Sequence, residues 1–173
     1  MKKAVLLIVI LFAVFLAISL AAQDRHYVGA AACKLCHKSE LQGRQHPIWE
    51  ASPHAKSFAN LGTDKAAEVG KTMGVTNPVE SPQCLGCHAP LTAKAPELAA
   101  EGVTCEVCHG PGSAYRKLAV MQDKAKAAAN GLAVFADAGA IEAYCLSCHQ
   151  SAHGKAFDFK AAWDSIKHPI PAK

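Results

Sequence analysis

The apolar pattern of the chain changes abruptly near residue 21. Ala4–Leu20 is an unbroken charge-free run, preceded by Lys2 and Lys3 and closing in the small-residue stretch Ser19-Leu20-Ala21. This is the layout of an export signal, so residues 1–21 are expected to be cleaved, or otherwise kept as a membrane anchor. Residues 22–173 are expected to form one domain. Within it, polar and apolar positions predict helices over 47–60, broken at Ser52-Pro53, and over 64–73, 113–130, 140–149 and 158–167. Phe159, Trp163 and Ile166 share one helical face, with Asp158 as N-cap and Pro169 as stop. Tyr115, Leu118, Met121 and Ala125 form the stripe of the 113–130 helix, which Ser113 would cap and Asn130-Gly131 would end. No segment alternates with period two, and Pro78, Pro82, Pro90 and Pro96 mark a loop-rich middle. The fold class is mainly α with extensive loops.

Composition makes that fold hard to stabilise unaided. The apolar fraction is 51%, but alanine dominates it. Larger apolar side chains make up only about a fifth of residues 22–173, near the floor for a packed domain. Such a chain needs a staple or a large cofactor. The formal charge of +4 falls to +2 without Lys2 and Lys3, and no Lys/Arg run exists, so nucleic-acid binding has no support.

All eight cysteines fall into one repeated pattern. The chain reads Cys33-x-x-Cys36-His37, Cys84-x-x-Cys87-His88, Cys105-x-x-Cys108-His109 and Cys145-x-x-Cys148-His149. C-x-x-C-H is the attachment signal of c-type haem. Each cysteine sulfur adds to one vinyl of the same porphyrin, and the histidine that follows meets the iron as proximal ligand. Structural zinc needs four ligands per site, whereas each motif offers three. A disulfide framework suits an exported chain but leaves the histidines unexplained. A redox dithiol occurs once per domain on a βαβ unit, which this pattern lacks. Four covalent haems c are therefore expected, closely packed and forming much of the core.

The segments "YVGAAACKLCHKSE", "IWEASPHAKSF", "EGVTCEVCHGPGSAY" and "FDFKAAWDSIKHP" together resemble the cytochrome c-554 family of exported multihaem cytochromes. The specific parts are C-x-x-C-H-G-P-G and W-x-x-S-x-H-A. The resemblance implies a mostly helical fold, haems in close stacked and perpendicular pairs, and periplasmic electron transfer. In the best-known member one iron lacks a sixth ligand. The present chain is shorter and carries no histidine in "SAYRKLAVMQDKAK" after Gly112.

Five histidines lie outside the motifs as candidates for the distal face of four irons. His54 and His168 are favoured: His54 is flanked by Trp49 and Phe58 and sits where the family motif has a distal ligand, and His168 follows an apolar helical face. His153, four residues after His149, cannot reach the far side of that haem and would serve a neighbour. His46, before a proline in an expected turn, and His26, near the start of the mature chain, complete the set. Met121 is the non-histidine option, with core packing as its ordinary use.

The expected function is low-potential electron transfer in the periplasm or outside the cell, between redox partner proteins in an anaerobic-type respiratory chain. Two rivals stand beside it. One is a haem enzyme whose open iron acts on NO, nitrite or hydroxylamine. The other is a subunit of a cytochrome filament, with His26 donated to the next copy.

Overall fold

The computed structural model describes residues 25–150 and 153–170. The expected export segment and the boundary at residue 21 lie outside the described residues. Among those described there are ten α-helices, none longer than nine residues, and no strand. In chain order they are α1 Ala30–His37, α2 Gln45–Ala51, α3 Ser57–Asn60, α4 Asp64–Thr72 and α5 Pro82–His88. There follow α6 Cys105–His109, α7 Leu118–Met121, α8 Lys124–Ala129, α9 Ala138–Cys145 and α10 Phe159–Ile166. Among the described residues no helix is long and apolar enough to cross a membrane.

Local chemistry sets most helix starts. Thr63, Asp123, Asp137 and Asp158 each accept a backbone N–H three residues ahead, which satisfies a donor the helix cannot. Pro82 opens α5 as its first residue, where a missing N–H costs nothing.

Three expectations are corrected. The helix expected over 113–130 is two short helices after a run of turns. Ser113 does not cap it: its hydroxyl accepts the N–H of His26, and the Tyr115 hydroxyl donates back to the Gly110 carbonyl. Asp123 then begins α8 with a cap of its own and breaks the register of the stripe. The helix expected over 140–149 ends at Cys145, so Cys148 and His149 lie beyond it. His46 is not in a turn but is the second residue of α2, and it is buried.

The apolar core is small. Among the described residues its buried members are Ala30, Leu61, Ala89, Leu91, Ala95, Tyr115 and Ala127, four of them alanines. The largest fully buried side chains are polar, Glu106 and Thr104. An interior this poor in bulky side chains stays marginal unless something large and apolar completes it.

Candidate haem-binding sites

Three of the four motifs lie on helices: α1, α5 and α6 each end at the motif histidine. The fourth straddles the end of α9. All eight cysteines are unpaired. The motifs nonetheless meet one another. The Cys33 and Cys105 thiols interact directly, as do Cys87 and Cys148, and Cys108 faces Cys145 and Cys148. Burial and a neighbouring thiol push Cys108 up to about 11. A hydrogen bond from Cys33 draws the Cys105 thiol down, while Cys33 is pushed far up.

The imidazoles are arranged in opposed pairs. His54 and His149 have ring centres 6.1 Å apart, His88 and His153 6.1 Å, and His109 and His168 5.8 Å. Each pair joins one motif histidine to one non-motif histidine. A metal–imidazole bond is about 2.0 Å and the ring centre lies about 1.1 Å behind the nitrogen, so two imidazoles across one metal have centres about 6.2 Å apart. At three places the spacing fits two imidazoles that would hold one iron between them.

The ring nitrogens are also prepared. His88 Nδ1 lies 3.0 Å from the Ser57 carbonyl, which fixes Nδ1 as the donor and leaves Nε2 free. His37 Nδ1 lies 3.2 Å from Gln45 Oε1 and is fixed in the same way. Gln45 in turn donates to the Pro169 carbonyl at 3.0 Å, next to His168. Burial, with His168 and His37 nearby, lowers His109 to about 4. Burial likewise lowers His54, His149 and His168. Each is thereby held in the neutral form that binds metal. Phe157 stacks on the His149 ring at 4.4 Å.

Two knots tie the sites together, and neither was apparent in the sequence. The Ser57 hydroxyl lies 2.7 Å from both the His54 and His88 carbonyls and accepts the Val103 N–H at 3.0 Å. Trp49 Nε1 donates to the Val103 carbonyl at 2.9 Å, which pins α2 to the approach of the third motif. The second knot is a pair of carboxylates. Glu106 accepts the N–H groups of Val28, Gly29 and Gly112, and Glu101 accepts that of Ala30 and the Thr104 hydroxyl. Together they hold the start of α1 against α6.

The family model for cytochrome c554 and c-prime matches residues 32–110. Cytochrome c-554 of Nitrosomonas europaea is 30% identical over 105 residues, covering 55% of this chain and 43% of that protein. The stretch matched by the family model is just under half of this chain, and over it the chain is similar to the cytochrome c-554 family. That likeness and the C-x-x-C-H motifs together point to covalently bound haem c. The chain spans less than half the length of the curated cytochrome c-554 it matches. No solved structure matches.

Against the cytochrome c-554 pattern, the remaining candidates stand apart. Among the described residues no imidazole faces His37 at the spacing of the other pairs. His46 is 5% exposed, lies edge-on to Trp49 at 5.3 Å, and its Nδ1 has no hydrogen-bond partner. Glu50 Oε2 is 3.9 Å from that nitrogen, and burial lowers the His46 pKa. His26 is tied down by its backbone, which exchanges hydrogen bonds with Ser113, while the residue itself is exposed. Met121 closes α7, half-buried.

Proposed function

We propose that the chain is an exported electron carrier with four covalent haems c, one bound through the cysteines of each C-x-x-C-H motif. The three opposed imidazole pairs carry this reading. In it, His149 and His54 bind one iron, His88 and His153 a second, and His109 and His168 a third, with His37 proximal to the fourth. Each haem, when bound, supplies a one-electron ferric/ferrous couple. The chain does the rest: burial holds His54, His109, His149 and His168 neutral, and hydrogen bonds to Nδ1 leave Nε2 of His37 and His88 free to bind. Two neutral imidazoles favour a lower potential than a Met/His pair. The proximity of the Cys33 thiol to Cys105 and of Cys87 to Cys148 supports attachment points close enough for electrons to pass between neighbours.

The partners are a donor and an acceptor redox protein, and the compartment is the periplasm or the outer cell surface. Intact-mass measurement of the exported protein should find the mass of four haems. Electron paramagnetic resonance should then find at least three low-spin centres. Fewer than four haems, or a predominance of high-spin iron, overturns the reading.

The position of His37 favours a second reading of the fourth site. Among the described residues no imidazole pairs with His37, so an iron bound there would keep a face for a small nitrogen compound such as NO or hydroxylamine. One high-spin signal that disappears on adding NO supports it; four low-spin centres that ignore NO exclude it.

A further inference from the structure

We propose that Glu106, seconded by Glu101, is a fixed buried anion between the first and third haem sites that lowers the reduction potentials of those two haems relative to the other two. The inference rests on the four-haem reading above.

Glu106 is 1% exposed and is a residue of the third motif itself, between Cys105 and Cys108. Its hydrogen bonds are all backbone N–H groups donated to it: Val28 at 2.9 Å, Gly29 at 2.8 Å and Gly112 at 2.6 Å. A carboxylate that meets only donors is in its acceptor-only, ionised form. No cation neutralises it: among the described residues the ion pairs involve Glu40, Glu50 and Asp164, not Glu106 or Glu101. Backbone N–H groups orient toward the charge but leave it net negative.

The anion's position is shared by two sites. Val28 and Gly29 lead directly into α1, and the Gly29 carbonyl is 3.8 Å from Cys33 Sγ. Glu101 accepts the N–H of Ala30, the first residue of α1, at 2.9 Å and the Thr104 hydroxyl at 2.6 Å, immediately before Cys105. Both carboxylates thus bind the backbone leading into the first motif and flanking the third, and their hydrogen bonds reach neither the second motif nor the fourth. A fixed negative charge there resists an added electron on the haems attached beside it.

Reduction takes one electron per iron from the donor protein, and no proton need move at Glu106. A unit charge acting over about 12 Å through an effective dielectric of about 20 changes a one-electron equilibrium roughly tenfold. Tenfold corresponds to about 59 mV for one electron.

The test is a spectroelectrochemical titration of the haem-loaded wild type, E106Q, E101Q and E106D, with haems resolved by paramagnetic NMR and haem content checked by mass. In E106Q the first and third haems should rise by about tenfold in reduction equilibrium, with the second and fourth unmoved. E101Q should shift the same two haems in the same direction. E106D, which keeps the charge while shortening the side chain, should leave the potentials near wild type. An equal shift in E106D and E106Q, a uniform shift of all four haems, or no shift overturns the proposal. So does failure of both glutamine variants to load four haems, which would make the carboxylates elements of assembly. A wild type without four reversible one-electron transitions overturns the carrier reading instead.

Discussion

Replacing Ser57 with alanine should weaken the protein at the point where two imidazole pairs meet. The Ser57 hydroxyl lies 2.7 Å from the carbonyls of His54 and His88 and accepts the Val103 N–H at 3.0 Å. A hydroxyl has one proton, so it donates to those two carbonyls in a shared fashion. Val103 N–H keeps a second acceptor, the His54 carbonyl at 3.1 Å, and so is not stranded by the change. The loss is therefore one donated and one accepted hydrogen bond in a half-buried setting. At about 1 kcal/mol each this is about 2 kcal/mol. For a domain of this length that lowers the thermal midpoint by roughly 4–8 °C. Circular dichroism at 222 nm on haem-loaded wild type and S57A reads the midpoint directly. The low-spin signals assigned to the His54/His149 and His88/His153 irons should broaden, and that of His109/His168 should not. A midpoint within 1 °C of wild type would refute the reasoning, since it would make Ser57 no more than a surface position.

Gly102 has φ +65°, and a Cβ there would lie 2.4 Å from Ser57 Oγ and 2.6 Å from the His54 carbonyl. G102A should cost ~3 kcal/mol or more and sharply reduce the yield of loaded protein, measured as haem absorbance per unit of protein. Asp158 caps the helix leading to His168 through the Ala161 N–H at 3.0 Å. D158A should cost about 1 kcal/mol and perturb the His109/His168 iron selectively in its low-spin spectrum. With no iron bound, His109 is lowered to about 4 by burial, so in the haem-free chain the unfolded state binds more protons than the folded one between about pH 6.5 and about 4. Stability from this group is thus full above pH 6.5 and lost as pH falls toward 4, by up to about 3 kcal/mol. Denaturant midpoints of the haem-free chain at pH 7, 5.5 and 4.5 should fall in that order, and a flat series contradicts it.

The residues that act through local rules were legible in the sequence. Asp158, the break at Ser52-Pro53 and the C-x-x-C-H repeats are recognisable because cap, ring and spacing each act within a few positions. The resemblance to the cytochrome c-554 family was legible in the same way, from short motifs. Where a distant partner competed with a local one, sequence reasoning failed. Ser113 looks like a helix cap but spends its oxygen on His26, 87 positions away. His46, read as part of a turn before Pro47, is carried into α2, because proline is tolerated in the first turn of a helix. Glu106 reads as an ordinary spacer between two cysteines, and nothing within its own segment announces that it binds the backbone of Val28 and Gly29. Which non-motif histidine faces which motif histidine is likewise set by how short helices pack, so His153 opposite His88 has no local signature.

The carboxylate clamp has a consequence for the order of events in biogenesis. Its bonds join residues 71 to 78 positions apart, so as the chain is synthesised the first helix emerges long before its anchors do. Cys33 and Cys36 therefore stand at first on a segment that has not yet acquired its resting place. Synthesis of Glu101 and Glu106 closes that interval. The late arrival of the middle of the chain acts as a latch, leaving the earliest site accessible for modification and then fixing it beside its neighbour.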